Sequence, residues 1–209
     1  MDIDLGTAYR SARLEITRLA TSHDESRRVP ATPAWTIHDV VAHVAGVIED
    51  GRNGNFAGAP GESWTAAQVE RGRDKSLDML HGEWQAGASA FEALLTSGSA
   101  PWHSVADVVS HQADLAQACG ESARIPADFL SWVSATLRGA YTTSLAAAGL
   151  APIVVAASDF EILRGRFGRR TRDEVAKWFA VDAPEPYLDA FFIFGSAAQP
   201  LNELAPITF

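Results

Sequence analysis

The sequence has one cysteine, Cys119, and two lysines, Lys75 and Lys177. A lone cysteine excludes a disulfide framework and agrees with a reducing compartment. No apolar run approaches the roughly 20 residues that a bilayer-crossing helix needs, and the longest, around Ala151 to Ala157, falls far short. Positive charge is also scarce: the net charge is -9 and the pI about 5.1. DNA, RNA and anionic membranes select basic surfaces, so none of them is expected as the main partner. The opening Met1-Asp2-Ile3-Asp4 is acidic and no apolar signal core follows it, so no secretory signal is expected and the expected location is cytoplasmic. There is no internal repeat and no low-complexity tract. What remains is an ordinary globular balance, 47% hydrophobic and 21% charged, in 209 residues. That length suits one domain, or one domain with an extension. Nearly all of the 17 basic residues are arginines, which, with the abundant alanine and glycine, is the coding habit of a GC-rich genome.

Hydrophobic spacing predicts a first helix over residues 3–21 and a polar, proline-punctuated loop over 22–35. The second helix has the clearest start. Thr36 is placed as N-cap with Asp39 three residues on as a capping-box partner, and Ile37, Val40, Val41, Val44, Val47 and Ile48 follow as one apolar arc. The glycines between Gly51 and Gly61 end it. A third helical region is expected over 65–97 with an interruption near Arg71 to Lys75, a fourth from His103 to Gly120, and a fifth over 127–148. Pro152 to Ala157 reads as a short strand or extended chain. Helix is expected again over 159–180, broken around Gly165 to Arg170, and the tail carries a short helix near Tyr187 to Phe192. Four long helices on loops of about 5 to 15 residues fit a helix bundle. The fold class is therefore all-α, with residues 1–150 as the bundle and 151–209 as a small, mostly helical extension packed on it.

The fourth helix carries His103, Asp107, His111, Asp114 and Ala118 at steps of 4, 4, 3 and 4. At 100° per residue these lie within roughly 40° of one stripe. Asp107 and His111 are one turn apart, a spacing that suits two ligands converging on one metal. His43 on the second helix, at the edge of its apolar arc, can supply a third. Two nitrogens and a carboxylate leave a coordination position open, as in catalytic rather than structural sites. A competing reading stands beside this one: Val105, Val108, Val109 and Leu115 lie roughly opposite the stripe, and a polar stripe opposite an apolar one is normally a solvated face.

Pro33, Trp35 and Thr36, followed by Asp39 and His43 on the second helix, resemble the signature of the mycothiol-dependent maleylpyruvate isomerase family, which belongs to the DinB-like metal-binding four-helix bundles. Asp107, His111 and Asp114 resemble its second signature. Phe160 to Arg172, with Gly168-Arg169-Arg170, resembles a Gly-Arg-Arg-Ser segment of many members, and Phe194-Gly195 with Leu201-Asn202-Glu203 resembles their C-terminal ending. The resemblance implies a divalent ion, zinc or similar, on His43, Asp107 and His111, and mycothiol, the small thiol of actinobacteria, as cosubstrate. It also makes Arg169 and Arg170 candidates for contact with that cosubstrate. The chain departs from the pattern twice. The family often has Glu where Asp107 stands, one methylene longer. It commonly has Arg after the second His, where this chain has Gln112, which weakens the case for the family's dicarboxylate substrate.

The resemblance implies thiol chemistry on a small-molecule electrophile, by isomerisation or S-transfer, since a metal lowers the pKa of a bound thiol toward neutrality. Cys119 is two turns beyond His111 and turned toward the apolar side, so packing is expected of it. Asp39 and Asp114 are expected to cap a helix or to hold a ligand in place. Trp35 is expected to pack the helix entrance. Two alternatives remain open: a thiol-independent metal hydrolase, and a non-catalytic metal-binding bundle whose site is closed by Asp50, Asp114 or His103. Monomer and homodimer are both open.

Overall fold

A computed structural model describes residues 3–209; Met1 and Asp2, half of the acidic opening, lie outside the described residues. The chain is mostly helical. The helices are α1 (Leu5–Ser22), α2 (Ile37–Asn53), α3 (Glu62–Gly72), α4 (Leu77–Thr96), α5 (His103–Cys119), α6 (Ala127–Ala147), α7 (Asp159–Arg166), α8 (Arg172–Ala176) and α9 (Glu185–Phe191). Two short strands, β1 (Arg124–Ile125) and β2 (Ile207–Thr208), pair in parallel. Among the described residues, no helix is long and apolar enough to cross a membrane.

Local chemistry explains the boundaries. Asp4 caps α1, accepting from the amides of Gly6 and Thr7 at 3.0 and 3.1 Å. Thr36 and Asp39 form the expected capping box: the Thr36 amide donates to Asp39 Oδ2 at 2.8 Å, and the Asp39 amide donates to Thr36 Oγ1 at 3.2 Å. α2 stops at Gly54, whose φ of 68° is left-handed and costs a residue without a Cβ little. The interruption expected near Arg71 to Lys75 is the turn between α3 and α4, where Ser76 caps the second helix.

α1 packs on α4 and α5, α2 packs on α3 and α4, and α2 meets α5 along a shorter contact. Between them lies a core that includes Ile16 and Leu19 of α1, Val41 and Val44 of α2, Trp84 of α4 and Val109 of α5. Trp84 satisfies its indole N–H inside that core by donating to the Tyr9 hydroxyl at 2.8 Å. α6 packs on α7 and α9 instead, and α7 reaches α5. α6 thus makes its main helix contacts with the segment after residue 150, and the chain turns at Gly149 between them.

One close approach matters for the site. A Cβ on Gly46 of α2 would stand 2.7 and 2.8 Å from Cβ and Cγ of Gln68 on α3. Gly46→Ala must therefore push Gln68 aside. Overpacking of this kind costs about 1–3 kcal/mol, readable by urea denaturation. Wild-type stability in this variant would show that α2 and α3 do not meet this closely.

Candidate metal centre

α2 presents His43, and α5 presents Asp107 and His111 one turn apart. His43 Nε2 is 3.7 Å from Asp107 Oδ2, and His111 Nε2 is 3.7 Å from Asp107 Oδ1. One ligand atom from each of the three residues lies within 4.8 Å of the others, and among the described residues this is the group of His, Cys, Asp and Glu side chains able to hold a metal ion. Two donors about 2.1 Å from one tetrahedral ion sit about 3.4 Å apart, so the spacing fits with small adjustment. His43 and His111 are buried, at 3% and 5% exposure, whereas the Asp107 side chain is one-third exposed, at 33%. The site is thus enclosed on the histidine side and open at the carboxylate.

The ring nitrogens turned away from this point are held as well. Asp50 is buried and its carboxylate can only accept, so the Gln68 amide N–H faces it, donating to Asp50 Oδ2 at 2.8 Å. That orientation leaves Gln68 Oε1 to accept from His43 Nδ1 at 2.7 Å. His43 therefore carries its proton on Nδ1 and keeps the Nε2 lone pair for a ligand. Arg71 and Asn55 complete the chain by donating to Asp50 Oδ1 at 2.7 and 2.9 Å. His111 Nδ1 lies 3.1 Å from Asp114 Oδ2, off the line of its N–H, so the contact is electrostatic rather than a well-aligned hydrogen bond. Arg164 and Arg169 each donate to Asp114, at 2.7 and 2.6 Å.

The ionisation states suit ligation. Burial pushes the Asp107 carboxyl up, but the His111 and His43 rings outweigh it and hold it at about 2. Burial, helped by the neighbouring His43, lowers His111 against the opposing pull of Asp107 and Asp114, which favours a neutral imidazole at neutral pH. Asp114 is held well below the usual carboxylate range: burial opposes this, and Arg169 and Arg164 overcome it.

The expectation of a solvated face on α5 is overturned. His111 and Asp114 are at 5% and 0% exposure. Arg164 of α7 and Arg169 just beyond it cover the stripe and neutralise it, so a polar face is buried with charged partners instead of water. Only His103, at the start of the helix, is exposed. Neither Asp50 nor Asp114 belongs to the ligand group, since both are occupied behind the histidines.

Trp35 does more than pack an entrance: its ring centroid is 5.1 Å from that of His43 and 5.9 Å from that of His111. Arg169 spends Nε and Nη2 on Asp114 and donates from Nη1 to the Phe167 carbonyl at 2.6 Å. Even so it lies near enough to Asp107 to help hold that carboxyl down. Arg170 is held by Glu161 and Glu203. Gln112 is fully buried and donates to the Arg124 carbonyl at 2.7 Å, tying α5 to β1. Burial raises the Cys119 thiol, which is consistent with packing and not with an activated nucleophile. Two residues that matter here were not singled out by sequence reasoning as site residues, Gln68 and Glu203. A glutamine in a short helix and a glutamate in a tail carry no spacing signal of their own.

No protein-family model, curated protein or solved structure matches the chain. The fold and site define a mostly helical protein with a buried His-Asp-His group that can hold a metal ion.

Proposed function

We propose that the chain is a divalent-metal-dependent enzyme, with zinc as the ion, that uses mycothiol on a small electrophilic substrate, as an isomerase or S-transferase. In this reading α1, α2, α4 and α5 form a DinB-like four-helix bundle of the kind found in the maleylpyruvate isomerase family. The observation that carries the proposal is the pair of imidazoles whose Nε2 atoms face Asp107 while Gln68 and Asp114 stand behind their Nδ1 atoms. Such outer partners are the usual companions of metal-bound histidine.

His43, Asp107 and His111 would hold a divalent ion, whose Lewis acidity would lower the pKa of a thiol brought to the site. The chain's own groups hold and orient. Gln68 fixes the His43 tautomer, Asp114 opposes its charge to His111 Nδ1, and Trp35 lies against both rings. Burial raises the Cys119 thiol, so Cys119 is not the nucleophile in this reading. Arg169, beside Asp114 and close to Asp107, is the arginine best placed to meet a bound thiol cosubstrate.

The test is thiol consumption and isomerisation by the zinc-loaded protein, with mycothiol and a panel of small electrophiles that includes maleylpyruvate. Activity should disappear with a chelator and return with zinc. Absence of both thiol turnover and thiol binding to the zinc form would overturn the proposal. Turnover without added thiol would instead favour a metal hydrolase. The one-third-exposed Asp107 is compatible with that second reading, because it lets water reach the open side.

A further inference from the structure

Arg164 is fully buried, and its two terminal nitrogens are divided among three residues. Nη1 donates to the carbonyl and hydroxyl of Ser110, at 3.0 and 3.2 Å. Nη2 is shared between Asp114 Oδ1 at 2.7 Å and Glu203 Oε1 at 2.6 Å. The Glu203 side chain, only 6% exposed, also pairs with Arg170, which Glu161 holds from the other side at 2.7 Å. One guanidinium thus serves two carboxylates. One of them stands behind His111, and the other belongs to the segment just before β2.

We infer that Glu203 is a positioning residue for the metal site, acting through Arg164 and Asp114 on His111. The inference rests on the metal reading above. Asp114 faces two arginines and one imidazole, and whatever negative charge the arginines take is unavailable to the imidazole N–H. Glu203 draws Arg164 partly away and so leaves more of the Asp114 charge to face His111 Nδ1, 3.1 Å from Oδ2. A carboxylate facing the ring in this way makes the opposite nitrogen a stronger ligand. Without the Glu203 charge, Arg164 turns wholly to Asp114 and His111 becomes a weaker donor. Without Arg170, Glu203 takes a larger share of Arg164, and the effect reverses.

The experiment is zinc affinity by competition with a chromophoric chelator, for wild type, Glu203→Gln, Arg170→Gln, Asp114→Asn and the Glu203→Gln/Asp114→Asn double variant, with far-UV circular dichroism confirming the fold of each. Glu203→Gln should bind zinc about tenfold more weakly, the lower end of what loss of an outer partner costs. Arg170→Gln should bind more tightly than wild type. In the Asp114→Asn background, Glu203→Gln should add little. Wild-type affinity in Glu203→Gln, weakening in both single variants, or a tenfold loss that persists without Asp114 would each overturn the inference. Should Glu203→Gln fail to fold, the sign of the Arg170→Gln effect decides alone. A wild-type protein that binds no zinc overturns the metal reading itself; zinc binding indifferent to these variants overturns only the role of Glu203.

Discussion

His111→Ala should leave the protein folded but unable to retain zinc, and His43→Ala should do the same. On the proposed metal reading, each variant removes one of the three residues that would ligate the ion. If a four-ligand zinc site is worth about 10–16 kcal/mol, one ligand is worth about 2.5–4, or about two to three orders of magnitude in affinity. The readout is twofold. Metal content of the purified protein falls to background, and the thermal stabilisation that zinc gives wild type disappears. That stabilisation is about 2.7 kcal/mol when free zinc is a hundred times its dissociation constant. His103→Ala is the control, since His103 lies on the same stripe but is exposed and outside the ligand group. Equal metal in wild type and in all three variants would show that the His-Asp-His group is not a metal site.

Arg164→Met should be the most destabilising substitution in this region. Arg164 and Asp114 are both at 0% exposure, and removing one partner of such a buried pair costs about 3–5 kcal/mol because the other charge stays enclosed. Arg169 still serves Asp114 and Arg170 still serves Glu203, so the lower part of that range is expected at pH 7 by urea denaturation. Acid dependence supplies a second readout. The folded-state pKa of Asp114 lies well below its unfolded value of about 3.9, so its contribution is fully present above that value. It is lost as pH falls through the folded pKa. Loss of Arg164 raises the folded pKa toward the unfolded one and leaves less to lose. Wild-type stability should therefore fall more steeply than that of Arg164→Met between pH 5 and pH 3. Parallel acid profiles would mean that Arg169 alone is enough to hold Asp114 ionised.

Much of this site is written in short-range spacing. Thr36 and Asp39 announce the start of α2, and that start fixes the position of His43. The four-residue step from Asp107 to His111 places both on one turn of α5. What spacing could not reveal is the environment of that turn. The residues that bury the polar stripe lie about 50 positions downstream, on α7 and just after it, and an arginine there reads equally well as a surface charge. The same limit applies to Gln68. It acts only because Gly46 lets α3 approach α2, a contact that neither helix encodes by itself. The helix stop at Gly149 was legible, but α6 pairs with α7 and α9 beyond it, and partner choice is not a property of a turn. β1 and β2 are two residues each, too short for any alternation to register.

The parallel pairing of Arg124 with Ile207 and of Ile125 with Thr208 has a consequence for the order of assembly. It closes a loop of about 80 residues, and closing a loop of that size costs conformational entropy that local helix formation does not. On a ribosome, α1 to α5 emerge well before residues 203–208, so His43, Asp107 and His111 can meet while Arg164 and Glu203 are still unmade. On the proposed metal reading, the ligand group would then be assembled before the late segment docks behind it.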